Sequence, residues 1–262
     1  MKTVTVTTTW APKQWNAYAR RCVEGISEYW PTHYKKLLYP DDDTQRVFVE
    51  NSQYFTLKDN SIHQAFINKH KVDISQHEIK KNWSGWRDPM DAVRFSFCVF
   101  NQIDAFAKCT TDILVFIDAD VITFDHIPDG WIQDLMCGKD VTYIGRKNKF
   151  SETGFIAYDL SNANMKTFFK RWTEQYTKDL VFNLDNWGDA DTFDEVRSNM
   201  VNEGLITDNN INDGRFHGLS GGKHPFINSE LGRYMDHLKG EIKFKRSSKD
   251  ELKYNWEHPY WQ

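Results

Sequence analysis

The stretch DILVFIDADVIT, Asp112 to Thr123, is an apolar run that ends abruptly in Asp118-Ala119-Asp120. Ile113, Leu114, Val115, Phe116 and Ile117 are continuously β-branched, aliphatic or aromatic, the pattern of a strand covered on both faces. The acids therefore stand where the sheet stops. Ligands of open α/β sheets gather at the carboxyl ends of strands, and hard divalent cations are held by one or two carboxylates plus substrate phosphates. Asp118 and Asp120 meet both requirements; the competing reading is a solvated turn with two ordinary acids.

Composition limits what such a site serves. The chain has 262 residues, enough for one large α/β domain, and a net charge of −4, which gives no global basic field for nonspecific nucleic-acid binding. Cys22, Cys98, Cys109 and Cys137 show no CxxC spacing and suit free thiols in a reducing compartment. The N-terminal MKTVTVTTTW does not read as a leader, and no apolar run reaches spanning length, so a cytoplasmic protein without membrane partners is expected.

Outward from the acids, Thr3 to Thr9 reads as a first strand, broken by Trp10-Ala11-Pro12, with a helix from Gln14 to Trp30 ended by Pro31. The loop between them lacks the glycines of a dinucleotide fingerprint or P-loop. Tyr34 to Tyr39 is a second strand; the acids after it, Asp42 among them, suit either a ribose contact or a polar turn. Val47 to Phe55 reads as a third strand. Ser61 to Lys81 is expected to be exposed and partly helical, with His63, His70 and His77 on a solvated face rather than forming a metal stripe. Asn82 to Pro89 is a turn-rich loop with Trp83 and Trp86, and Met90 to Lys108 a buried helix. Arg94 is the anomaly on that helix: it either reaches an anion at the site or snorkels to solvent.

Beyond the acids, Val141 to Gly145 is a short strand. The polar triplet Ser151-Glu152-Thr153 closes on Gly154 and opens onto an apolar strand, which suits close approach of backbone and substrate. Met165 to Leu180 is helical. Trp187-Gly188-Asp189-Ala190-Asp191 is a second acid-x-acid, whose plain reading is a helix cap. Asn209 to Phe226 is glycine-dense and carries His217, Gly218, Lys223 and His224, a metal ligand and a phosphate-binding cation in one loop.

In order, DAVRFSF (Asp91 to Phe97), LVFIDADV (Leu114 to Val121), FSETGFIAYDL, WGDADTF and HGLSGGKHPF resemble the motifs of the GT-A glycosyltransferases. Within them the chain is most similar to the glycogenin-like and bacterial galactosyltransferase-like retaining family, over roughly Thr3 to Phe226. The resemblance implies one GT-A domain over 1–262, with a mixed, mainly parallel central sheet and 227–262 as a C-terminal lid or acceptor-side extension. It implies Mn²⁺ or Mg²⁺ held by Asp118, Asp120 and His217 and bridging the diphosphate of a nucleotide-sugar donor, with a UDP-sugar favoured. Lys223 would hold the diphosphate, Arg94 would brace the acids or the donor, and Thr8, Thr9 and Trp10 would line the nucleotide pocket, with Asp42, Ala119, Gly154 and Gly218 also on the donor side. The sequence departs from the family where Glu152 replaces an asparagine and Ala190 a glutamine, so Asp189, Asp191 or Glu152 is expected as a base toward the acceptor hydroxyl.

The tryptophan loop and RDPMDAVRFSF also look like glycosyltransferases encoded by phages, some of which modify hydroxymethylated pyrimidines of viral DNA. Such DNA, in a host cytoplasm, is one expected acceptor and a saccharide the other. Trp83 and Trp86 could stack on a flipped base, and Lys243 to Arg246 could meet phosphate. Two other readings compete: a haloacid-dehalogenase-like phosphatase, whose DxD would lie nearer the start of its domain, and a binding module indifferent to metal.

Overall fold

In the computed structural model, which describes residues 2–41, 45–70, 89–212, 224–244, 247–254 and 256–262, β1 (Val4–Trp10) and β4 (Ile113–Ile117) lie parallel at the centre of the main sheet. β2 (Lys35–Pro40) pairs parallel with β1, and the short β3 (Ser52–Tyr54) parallel with β2. On the far side of β4, β7 (Lys149–Asp159) runs antiparallel, β6 (Val141–Arg146) is antiparallel to β7, and β8 (Asp208–Asn210) is parallel to β6. The resulting 7-stranded sheet has the order β3-β2-β1-β4-β7-β6-β8 and is mixed but mostly parallel, the α/β architecture expected.

Both faces are covered, and β4 shows why its sequence is uniformly apolar. Ile113, Val115 and Ile117 enter one core with Val6, Trp10 and Ile26, whereas Leu114 enters the other with Phe100, Tyr158 and Trp172. Side chains alternate across a strand, so two dry faces demand an unbroken apolar run. The first face is covered by α1 (Pro12–Gln14), a π-helical turn (Trp15–Ala19) and α2 (Arg20–Tyr29). The second carries α3 (Ser61–His70), α4 (Pro89–Lys108), α6 (Met165–Thr177) and α7 (Asp189–Asn202). A further helix, α5 (Trp131–Met136), precedes β6.

Several boundaries differ from expectation for local reasons. The expected third strand shrinks to three residues because Asn51 adopts φ 55°, a left-handed turn that interrupts extended backbone. The expected break at Trp10 moves on: Trp10 closes β1 and Pro12 opens the helix, a position where its missing N–H costs nothing. The strand expected to start after Gly154 begins at Lys149 and takes the polar triplet into the sheet. No helix among the described residues is long and apolar enough to cross a membrane.

Two histidines of the expected solvated face, His63 and His70, are not exposed. His63 is fully buried, stacked on Phe100 at 4.6 Å, with Nε2 2.8 Å from Ser96 Oγ. His70 pairs with Asp179 at 2.7 Å, and His77 is outside the described residues. Burial lowers the His63 pKa from 6.5 to about 4. The unfolded chain therefore takes up the proton first, so this residue's contribution is intact above pH 6.5 and lost as pH falls toward 4, about 3 kcal/mol in all. Urea midpoints at pH 7 and pH 4.5 should diverge for the wild type and converge in His63→Leu; an unchanged pH dependence in the variant would refute the assignment.

Candidate metal centre

At the end of β4 the chain turns tightly: Asp118 N–H donates to Gly154 O at 3.1 Å and Val121 N–H to Asp118 O at 2.9 Å. The next residues form β5 (Val121–Thr123), which pairs antiparallel with β9 (Met235–His237), a strand from the far end of the chain. Val121 faces His237 in that register, and Leu238 N–H donates to Asp120 O at 3.0 Å. This small ribbon delivers an imidazole to the two acids. One ligating atom from each of Asp118, Asp120 and His237 can be chosen so that all lie within 4.8 Å of one another. His237 Nε2 is 2.9 Å from Asp120 Oδ1 and 3.7 Å from Asp118 Oδ2.

The donor set fits a divalent ion. Two carboxylates and one imidazole suit Mn²⁺ better than Mg²⁺, which favours oxygen alone, and three protein ligands leave coordination positions for phosphate or water. Access is from the side of Asp118, whose side chain is 25 % exposed against 9 % for Asp120 and 4 % for His237.

The charges are arranged to keep the two acids different. Burial first, and then the neighbouring Asp120, push Asp118 well above the ordinary carboxylate range. Asp120 is buried too, but His237 and Lys243 outweigh that cost and hold it well below. Two close carboxylates with different neighbours separate in this way. His237 is disfavoured as a cation by burial, yet the acids raise its pKa, so a metal must displace its proton to bind.

β7 outruns β4 at this end, and its extra residues line the site. Glu152 is 2 % exposed; its Oε1 is 3.1 Å from His237 Nδ1, and its Oε2 is 3.7 Å from Arg146 and in contact with Lys239 Nζ. Facing three basic side chains, Glu152 is placed as a buried counter-charge; in sequence it is one of three candidate bases, beside Asp189 and Asp191. Gly154 makes room for the imidazole: a Cβ there would sit 2.3 Å from His237 Nδ1 and 2.4 Å from Cε1. Burial and Arg146 lower the Lys239 pKa to about 7.

Asp189 opens α7 behind Gly188 and is buried; its Oδ2 accepts from Thr153 Oγ1 at 2.9 Å. Asp191, in the same first turn, accepts from Asn186 at 3.1 Å. Burial raises both carboxyls above their usual range. The plain capping reading is not met: Gly188 is the N-cap, without a side-chain cap bond, and both acids lie inside the first turn, where Asp189 also faces Thr153 of β7.

Of the residues expected from sequence, the structure brings together Asp118, Ala119, Asp120, Glu152, Gly154 and Asp189. Thr8, Thr9 and Trp10 are buried at the carboxyl end of β1, with Thr9 Oγ1 donating to Tyr39 O at 3.0 Å. Arg94 does not brace the acids: it is exposed, its guanidinium 4.5 Å over the Phe95 ring. Asp42, His217, Gly218, Lys223, Trp83, Trp86 and Arg246 lie outside the described residues. His237, Lys239 and Arg146 escaped the sequence reading, and Lys243 figures in it only as a contact to DNA phosphate, not as a partner of Asp120. The segment 227–262, expected as a lid or acceptor-side extension, supplies three of these four and packs Leu231, Met235 and Trp261 into the core.

No known family model matches the chain, and no curated protein matches it in sequence.

Proposed function

We propose that this protein is a metal-dependent glycosyltransferase that moves a sugar from a nucleoside-diphosphate sugar, a UDP-sugar first, to a hydroxyl acceptor. The observation that carries the reading is the Asp118–Asp120–His237 cluster at the carboxyl end of a central strand, open on one side and backed by Lys239 and Lys243. The mixed, mostly parallel sheet agrees with a GT-A domain. A divalent ion at this cluster would neutralise charge on the departing diphosphate. Around it, the chain's own groups act electrostatically: Glu152 and Asp120 fix the imidazole from both sides, Lys243 adds positive charge beside Asp120, and Lys239 lies against Glu152 behind the imidazole. Asp189, its pKa raised by burial and its carboxylate oriented by Thr153, is the base assigned to the acceptor hydroxyl.

The test is calorimetric titration with UDP and GDP, with and without Mn²⁺, on wild type and Asp120→Ala. UDP binding that requires Mn²⁺ and disappears in the variant is expected, and justifies offering UDP-sugars with hydroxymethylated DNA or saccharides as acceptors. Binding of neither nucleotide under any condition removes the reading.

A further inference from the structure

Both oxygens of Asp120 already carry a partner: His237 Nε2 lies 2.9 Å from Oδ1 and Lys243 Nζ 2.6 Å from Oδ2. His237 can pass from ion-pair partner to metal ligand by losing a proton. Lys243 does so far less readily, because a primary ammonium holds its proton much more tightly than an imidazolium does. A divalent ion shared by Asp118, Asp120 and His237 would therefore confront a second cation on the same carboxylate, in a site with little water to screen the repulsion.

The way Lys243 is held suits a group that moves without its backbone following. Its carbonyl oxygen is tied to α2 by Arg21, whose guanidinium donates at 2.9 Å. Its side chain is 28 % exposed, and Nζ sits 4.6 Å from the centroid of the Tyr18 ring, a second resting surface for a cation. A lysine offers a strongly charged point donor on a flexible stem, suited to following an anion. Lys239 is differently placed, buried against Glu152 on the other side of His237.

We infer that Lys243 couples the metal to the diphosphate: it competes with a divalent ion for Asp120, and moves onto the phosphate oxygens when both ligands bind. This rests on the diphosphate reading of the site. The metal alone then binds against the ammonium, whereas metal and diphosphate together give the ammonium a new anion, so each ligand strengthens the other by the same factor. The amine stays protonated throughout and no bond is made or broken.

The experiment is titration of Mn²⁺ into the full chain, alone and with saturating inorganic pyrophosphate, for wild type, Lys243→Gln, Lys243→Met and Lys243→Arg. Lys243→Met keeps an aliphatic stem over Tyr18 and serves if the glutamine variant does not fold. In wild type, pyrophosphate should raise Mn²⁺ affinity by about tenfold or more. In either neutral variant, Mn²⁺ alone should bind about tenfold more tightly and the pyrophosphate effect should shrink, while Lys243→Arg stays near wild type. Unchanged or weaker binding of Mn²⁺ alone in the neutral variants would overturn the inference, as would independent binding of the two ligands in wild type. If Mn²⁺ and pyrophosphate behave as expected but no nucleotide binds, the coupling stands and the glycosyltransferase reading falls.

Discussion

Replacing His237 with alanine should weaken Mn²⁺ binding by about 100-fold or more, since loss of even an outer-shell partner of a metal ligand typically costs 10–100-fold. Among the described residues the imidazole is the one nitrogen donor of the cluster, and it is almost wholly buried, so water replaces it poorly. The substitution also leaves Glu152 with one cationic neighbour fewer, although Arg146 and Lys239 remain. Calorimetry with Mn²⁺ alone reads the effect without any donor or acceptor. The loss is expected whatever His217 contributes, and His217→Ala alongside compares the histidine chosen from sequence with the one the fold delivers. A His237→Ala protein that binds Mn²⁺ as wild type does would remove His237 from the site.

The second large effect is expected at a residue with no chemistry of its own. In Gly154→Ala the new methyl would lie 2.3 Å from His237 Nδ1, far inside contact distance. Neither side yields easily. Gly154 is within β7 and its carbonyl accepts from Asp118 N–H, while His237 is fixed by the pairing of β9 with β5. Overpacking of this kind costs about 1–3 kcal/mol, and displacement of the ring should also reduce Mn²⁺ affinity. Urea unfolding and metal titration measure the two consequences. The double variant Gly154→Ala/His237→Ala should recover most of the stability, because the clash then has no second party. Additive losses in the double variant would show that the methyl disturbs something other than the imidazole.

These two residues mark the boundary of what the sequence makes legible. Asp118 and Asp120 can be read because five apolar residues covered on both faces leave an unmistakable run, and acids directly after it must lie at the sheet edge. α4 and β1 are readable for the same reason, through apolar periodicity over several turns or alternations. His237 is not, because β9 is three residues long and no periodicity can be seen in Met-Asp-His. Its proximity to Asp120 is created by a pairing between distant parts of the chain. Glycine density drew attention to His217 instead, a sound local signal that carries no information about long-range pairing.

Arg94 and His63 end in opposite environments. An arginine on an apolar helix left two readings, an anion at the site or snorkelling to solvent, and Arg94 is exposed with its guanidinium over Phe95. A histidine in a polar segment suggested solvent, but α3 turns His63 inward against Phe100. Glu152 was singled out for its chemistry and lies across the His237 ring from Asp120. Its role could not be read, because the lysine and arginine that neutralise it come from β6 and the segment after β9.

The most direct measurement is pulsed electron paramagnetic resonance of Mn²⁺ bound to the full chain, comparing natural-abundance protein with protein carrying ¹⁵N-histidine. A nitrogen coupling that changes with the label and vanishes in His237→Ala is the expected result. A Mn²⁺ signal with no histidine nitrogen, or one unaffected by His237→Ala, would contradict a metal centre built from Asp118, Asp120 and His237.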